Sequence, residues 1–314
     1  MKVTVIGAGN VGATTAMRIA ESDVCREVVL VDIAPGLAEG LALDLGQSAP
    51  IEGFRTRVTG ATDYAPTANS DVIVMTAGRP RSPGMSRIDL LLVNAAVVRS
   101  CVAAATAASP FAILIVVTNP LDEMTHLAWR VSGFPPSRVM GMAGGLDSAR
   151  LRFFLARLAG VAPPDVEAIT LGSHGETMVP LPGRATIAGA PAGEVLDRET
   201  LAGAFQRTRG GGAEIVALLQ RGSAFYAPAS ATNAMVRAVL EDRHEVHPVC
   251  AYLTGQYGID DVFVGVPAVL SRRGIEAVRE LDLTPAELAD LRAAAEAVRS
   301  KCAELDAALG LARS

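Results

Sequence analysis

Three groups of side chains in this sequence are of types that move protons or hold carboxylates. His174 stands in Gly172-Ser173-His174-Gly175-Glu176-Thr177, where small neighbours leave an imidazole accessible. With an ordinary pKa of about 6.5, histidine exchanges a hydroxyl proton readily near neutrality; an ordinary loop histidine fits the same residues. Asp147 and Arg150 lie three apart at the start of a helical pattern and so share a face. One can orient and charge-stabilise a histidinium while the other grips a carboxylate, and a local i,i+3 ion pair satisfies the spacing equally. The third group is the stretch Gly78-Arg79-Pro80-Arg81-Ser82-Pro83-Gly84-Met85-Ser86-Arg87, which sets arginines among prolines and glycines just after an apolar strand pattern. Arginine presents a planar fork of donors that matches a carboxylate. The stretch reads either as a positively charged lid over a small acidic substrate or as a solvated surface loop.

Such side chains need a scaffold, and the N-terminal half spells one out. Lys2 to Ile6 reads as a strand, Gly7-Ala8-Gly9-Asn10-Val11-Gly12 as a glycine turn, and the run to Ala20 as a helix. A second strand, Glu27 to Val31, ends at Asp32. In this context the first glycine permits the tight turn, the second lets the backbone approach a pyrophosphate, and the third allows close helix packing. The helix N-terminus adds donors and partial positive charge. Asp32 would accept hydrogen bonds from ribose hydroxyls and repel a 2′-phosphate, which favours NAD over NADP. Strand patterns at Asp71 to Met75 and Phe111 to Val117 are continuously apolar and alternate with helical patterns, which implies a parallel sheet covered on both faces. Ligands in such sheets sit at the carboxyl ends of the strands, where the arginine stretch and Thr118-Asn119-Pro120 both fall. Ser86 and Asp89 have the spacing of a capping box opening a long helix towards Ala108.

Beyond Pro135 and Pro136 the texture changes. We expect a short strand at Ser137 to Met140, a helix from Gly144 to Leu158, and strands around Glu167 to Leu171 and Met178 to Ala188. Helices near Thr200 to Gln220 and Ala224 to Leu240 follow, then strands near Val249 to Leu253 and Val262 to Leu270. Thr284, Pro285 and Glu287 read as N-cap, first-turn proline and capping-box partner of a final helix to Leu309. Gly210-Gly211-Gly212 interrupts a helical pattern and reads as a kink or break. The fold class is α/β: an N-terminal Rossmann doubly wound parallel sheet over 1–143 that binds a dinucleotide, with a C-terminal α+β substrate domain over 144–314.

Composition narrows the functions. The net charge of −5 argues against general nucleic-acid binding. Lys2 and Lys301 are the only lysines, so no interior lysine serves a Schiff base, a phosphate loop or a Tyr-x-x-x-Lys pair. Cys25, Cys101, Cys250 and Cys302 are scattered, as in a reducing compartment. His244, His247 and Cys250 have ligand-like spacing but precede an apolar strand pattern without a fourth ligand, so they read as strand entry, and no metal is expected. Clean apolar runs such as Phe111 to Val117 are too short to span a bilayer, and no signal-peptide architecture precedes the first strand. A cytoplasmic chain without membrane or nucleic-acid partners is expected.

Taken together, Gly7-Ala8-Gly9-Asn10-Val11-Gly12, Thr76-Ala77-Gly78, Pro80-Arg81-x-Pro83-Gly84-Met85-Ser86-Arg87-x-Asp89-Leu90, Asn119-Pro120, Leu146-Asp147-Ser148-Ala149-Arg150 and His174-Gly175 stand in the order and spacing of the lactate and malate dehydrogenase family. The resemblance extends through Tyr226-Ala227-Pro228 to Val264-Gly265-Val266-Pro267, and within the family the chain is most similar to the lactate-dehydrogenase-like malate dehydrogenases. It implies an NAD-dependent oxidoreductase of a small dicarboxylic 2-hydroxy or 2-oxo acid. His174 would exchange the hydroxyl proton, with Asp147 fixing its tautomer. Arg150 would hold the carboxylate beside the reacting carbon, Arg87 would polarise the carbonyl, Asn119 would bond substrate near the nicotinamide, and Arg81 would bind the distal carboxylate. The glycine turn from Gly7 to Gly12, Asp32, Ala77, Gly78, Asn94, Val117 and Asn119 would line the NAD site. A homo-oligomer, dimer or tetramer, is implied too.

The family usually has glycine where Ser173 stands, aspartate where Glu176 stands, and frequently lysine where Ser82 stands. A positive φ at Ser173 would strain the loop. Within the family, arginine at position 81 suits oxaloacetate and a neutral residue suits pyruvate, so malate is expected over lactate. An NAD-binding sensor without catalysis is the reading from a different class.

Overall fold

In the computed structural model of the chain, residues 1–79, 87–175 and 177–311 are described, Arg87 by its main chain alone. The first half alternates strands and helices in the expected order: β1 (Lys2–Ile6), α1 (Asn10–Glu21), β2 (Glu27–Val31), α2 (Leu37–Glu52), β3 (Arg57–Ala61), β4 (Val72–Met75), α3 (Arg87–Ala108), β5 (Ile113–Val116), α4 (Leu121–Ser132) and β6 (Val139–Gly141). These strands lie parallel in the order β3-β2-β1-β4-β5-β6. The order reverses between β1 and β4, and the crevice there is where doubly wound sheets take ligands. Alternate residues of β4 and β5 enter opposite core layers: Val72, Val74, Ile113 and Ile115 on one face, Ile73, Met75, Leu114 and Val116 on the other. Burial on both faces is why these strands are continuously apolar.

The second half contains α5 (Gly144–Ala159), β7 (Val166–Glu167), β8 (Thr170–Gly172), β9 (Met178–Pro180), β10 (Thr186–Ile187), β11 (Ala190–Pro191), α6 (Ala192–Val195), α7 (Arg198–Leu219), α8 (Tyr226–Leu240), β12 (Glu245–Thr254), β13 (Asp260–Ser271), β14 (Gly274–Val278) and α9 (Pro285–Leu309). β12 pairs with β6 through Cys250 and Gly141, and the sheet continues through β13, β8 and β9. One sheet and one core layer therefore run through both halves, since Val3 and Val28 belong to the same apolar cluster as Val249 and Val264.

The structure departs from expectation at several elements. β3 was not anticipated; it is an edge strand in which Arg57 is exposed and Ala61 alone is buried, the rest being partly buried, so it lacks an apolar signature. The expected strand from Met178 to Ala188 breaks into β9 and β10 across a single turn at Pro182–Arg184, as proline dictates. The expected strand Glu167 to Leu171 divides between two sheets. Helix α7 runs unbroken through Gly210-Gly211-Gly212, where a break was expected. His247 and Cys250 do lie within a strand, β12. The α9 capping box forms as predicted between Thr284 and Glu287; that of Ser86 lies outside the described residues.

The segment Ile88–Ala108 of α3 has the length and apolar composition of a membrane-crossing helix, with a mean hydropathy of 1.8. It is not a clean run, because Asp89, Asn94 and Arg99 interrupt it. Leu91, Ala95, Val98, Val102 and Ala105 form a buried stripe in the core layer that contains α4.

Candidate active site

The carboxyl ends of β1, β2, β4 and β5 carry the predicted dinucleotide contacts. Gly7 has φ +98°, and a Cβ there would lie 2.7 Å from the Ala77 backbone. A Cβ on Gly12 would come within 1.8 Å of the Gly7 carbonyl oxygen, so α1 can pack onto the turn only with glycine here. Gly9 differs: nothing described lies within 4 Å of its Cβ position, and as N-cap of α1 it offers no side chain to the first helical N–H groups. An exposed helix N-terminus beside an open glycine face fits a pyrophosphate. Asn10 opens α1, exposed, and Val11 packs inward. The Asp32 carboxylate accepts from Ala8 N at 2.7 Å and Ala34 N at 2.9 Å, one bond per oxygen. A carboxylate has about four lone-pair sites, so capacity remains for ribose hydroxyls.

Asn94 is buried and its amide is committed to the protein. Its Oδ1 accepts from Arg79 N at 2.7 Å, and its Nδ2 donates to the carbonyls of Asn119, at 2.7 Å, and Arg79, at 3.2 Å. It thus ties the loop after β4 to the loop after β5. Gly78 packs against Asn94 and Thr118, and the Thr118 hydroxyl donates to the Ala77 carbonyl at 2.8 Å. Val117 is buried and bonded to Met75, whereas Asn119 is exposed. Arg81 lies outside the described residues, as do Ser82 and Glu176; of Arg87 the structure describes only its place at the start of α3.

The proton-transfer candidates converge. Asp147 and Arg150 project from the first two turns of α5, and His174 from the loop between β8 and β9. His174 Nδ1 stands 2.9 Å from Asp147 Oδ2, while Arg150 Nη1 reaches Asp147 Oδ1 at 3.4 Å. An ionised carboxylate only accepts, so Nδ1 carries the hydrogen and Nε2 is left as the exchanging atom; Nε2 has no hydrogen-bond partner among the described residues. Burial disfavours the imidazolium, but the Asp147 charge and hydrogen bond outweigh it and raise the His174 pKa above its ordinary value. Arg150 is only 13% exposed, its pKa is lowered by burial, and its Nε is buried without a hydrogen-bond partner among the described residues. Most of its donors are therefore unspent beside a histidine that can give or take a proton.

A second acidic group was missed from the sequence. Asp122, in the first turn of α4, is buried and accepts from His174 N at 3.0 Å and from the Cys250 thiol at 3.1 Å. Burial, followed by the neighbouring Glu123 charge, pushes its carboxyl up to about 6. The Asp122-Glu123 pair after Asn119-Pro120-Leu121 gives no sign that strands far away in sequence will enclose its aspartate. Ser173 is not among the residues of positive φ; Gly172 (φ +81°) and Gly175 (φ +139°) take that conformation, and the Ser173 hydroxyl shares a 2.6 Å bond with Thr177. The feared strain is absent from the backbone at this position.

Comparison with known proteins identifies the family. Residues 1–141 match the lactate/malate dehydrogenase NAD binding domain and residues 145–308 the lactate/malate dehydrogenase alpha/beta C-terminal domain. The chain is 52% identical over 304 residues to a malate dehydrogenase of Roseiflexus castenholzii, covering 97% of this chain and 98% of the relative. It is 51% identical over 306 residues to one of Chloroherpeton thalassium, covering 98% and 99%. Among solved structures, malate dehydrogenase of Salinibacter ruber superposes with a TM-score of 0.93 at 46% identity, covering 99% of this chain and all of that one. A lactate dehydrogenase of Cryptosporidium parvum with lactic acid and nicotinamide adenine dinucleotide superposes at 0.93 with 36% identity, covering 97% and 98%. The chain belongs to the lactate/malate dehydrogenase family.

Proposed function

We propose that this chain is an NAD-dependent malate dehydrogenase, interconverting malate and oxaloacetate. The observation that carries the reading is the His174–Asp147–Arg150 cluster: a carboxylate-oriented imidazole beside a partly buried arginine most of whose donors are unspent among the described residues. NAD, when bound by the glycine turn from Gly7 to Gly12 and Asp32, with Ala77, Gly78, Val117 and Asn119 alongside, supplies the hydride acceptor or donor. Asn94 would shape that site by holding the Arg79 and Asn119 backbones. Arg150 grips the carboxylate next to the reacting carbon, and Asn119 and Arg87 bond the oxygen that changes order. In reduction, protonated His174 donates from Nε2 to that oxygen while Asp147 stabilises the charge; in oxidation, neutral His174 accepts the proton. Arg81 takes the distal carboxylate when the arginine stretch covers the site and excludes water.

Arg81 distinguishes this reading from a lactate dehydrogenase. Closed over the methyl group of pyruvate it would lose solvent without gaining a partner, at a cost of about 3–5 kcal/mol. The malate dehydrogenase relatives named above support the same choice. The division into 1–143 and 144–314 follows the two roles, cofactor then substrate. A homo-oligomer is consistent with large apolar side chains left exposed on α2 and α3, Leu43, Ile51, Ile88 and Leu92 among them, and four free, buried cysteines fit the cytoplasm.

The test is a steady-state assay following NADH absorbance with oxaloacetate and with pyruvate, repeated with NADPH. Oxaloacetate with NADH should be the preferred pair. Arg81→Gln should lower oxaloacetate turnover and raise the relative use of pyruvate; a substrate preference unchanged by Arg81→Gln would remove the Arg81 assignment. NADH binding without turnover of either substrate would favour a sensor.

A further inference from the structure

The glycine triplet of α7 has no part in the chemistry above, yet helical glycine is destabilising relative to alanine. α7 packs along α5, and its inward face carries small residues, Ala204, Thr208 and Gly211, all buried. One turn before Gly211, the Arg207 guanidinium lies over the Phe154 ring at 4.5 Å. The next inward position is where Arg150 crosses: a Cβ on Gly211 would stand 3.3 Å from Arg150 Cδ and 3.8 Å from both Arg150 Nε and Phe154 Cε2. On Gly212 it would stand 3.7 and 3.8 Å from the two terminal guanidinium nitrogens. Gly203, on the same helix, would meet nothing described within 4 Å.

We propose that Gly211, with Gly212, is a positioning residue: the two glycines form a side-chain-free notch in α7 that seats Arg150 in the pose from which it grips a carboxylate. This rests on the reading of Arg150 given above. The Arg150 stem lies against α7, and its fork is held on the other side by Asp147 at 3.4 Å. A methyl group at 211 is tighter than an ordinary contact, so the stem must give by a few tenths of an ångström and the fork moves with it. Displacements far smaller than a bond length matter at a carboxylate clamp, since misplacement by about 1 Å can cost roughly a hundredfold. The notch also explains why the helix retains glycine here: alanine would improve the helix while spoiling the seat.

The experiment compares Gly211→Ala, Gly212→Ala and Gly203→Ala with the unaltered chain. Its readouts are KM and kcat for oxaloacetate, the Kd of NADH, the Kd of oxalate with NADH present, and Tm. Gly203→Ala should raise Tm by about 2 °C with kinetics unchanged. Gly211→Ala should fold with Tm no lower than the unaltered chain. Its KM and oxalate Kd should rise about tenfold, with the NADH Kd unchanged, and Gly212→Ala should fall between the two. In an Arg150→Lys background, which lacks the fork, Gly211→Ala should add little. Equal oxalate affinities for Gly203→Ala and Gly211→Ala, or a Gly211→Ala effect undiminished in Arg150→Lys, would overturn the notch. Should the unaltered chain turn over no oxaloacetate while Gly211→Ala still weakens oxalate binding, the notch stands and the malate reading falls.

Discussion

The two halves of the cleft are built from different materials. At the proposed dinucleotide end the surface is backbone: Gly7 and Gly12 keep side chains out of a turn, Gly9 leaves a face open, and Asp32 and Asn94 are tied to main-chain groups. At the proposed acid/base end it is side chains braced on one another, His174 on Asp147, Asp147 on Arg150, and Arg150 on the glycines of α7. Glycine serves both, with different tolerance. An added methyl on Gly12 meets the Gly7 carbonyl and cannot be relieved without moving a strand or a helix; one on Gly211 meets the stem of a side chain.

That contrast fixes where substitution should be most damaging. Gly12→Ala should lower stability by about 1–3 kcal/mol or more and weaken NADH binding more than tenfold, measured by thermal melting and NADH fluorescence. NADH binding as tight as in the unaltered chain would dissolve the distinction between backbone-made and side-chain-made ends.

A smaller effect sharpens the other side. Asp122 holds the main chain of His174, and its folded-state pKa, about 6, is above the ordinary 3.8. A carboxyl with a raised folded pKa favours the fold when protonated, so its contribution is present at low pH and lost as pH rises from about 3.8 through about 6. Asp122→Asn does not titrate. The unaltered chain should therefore lose stability relative to Asp122→Asn between pH 4 and 7, by roughly 3 kcal/mol at most, and melting curves across that range check it. A stability difference independent of pH would show that Asp122 is not buried as an acid.

The same contrast governs what could be read from the sequence. A backbone-made site leaves a local mark, because its turn needs glycines at fixed spacing and its strands are apolar on both faces; Gly7, Gly9, Gly12 and Asp32 were legible for that reason. Asp147 and Arg150 were recognisable as a pair because one helix turn carries both, but their tie to His174 came from family resemblance, since spacing alone also allowed a local ion pair. Nothing local shows that α7 lies against α5, so Gly210-Gly211-Gly212 read as a break when two of its members flank Arg150. Asp122 was invisible because its partners, His174 and Cys250, come from other parts of the chain. β3 was missed because an edge strand with Arg57, Thr59 and Gly60 has no apolar run to announce it.

Asp147 is proposed to set the protonation of His174, and the pH dependence of kcat/KM for oxaloacetate reduction reads that protonation out. On the proposed mechanism reduction needs protonated His174, whose pKa is raised chiefly by Asp147 against the effect of burial. The rate should therefore fall as pH rises through a midpoint above 6.5 in the unaltered chain. With Asp147→Asn, burial and Arg150 would lower the imidazole pKa against only the smaller opposing charge of Asp122, so the midpoint should move to lower pH and the maximal rate should fall, by roughly a hundredfold or more. Profiles with the same midpoint in both proteins would contradict the account.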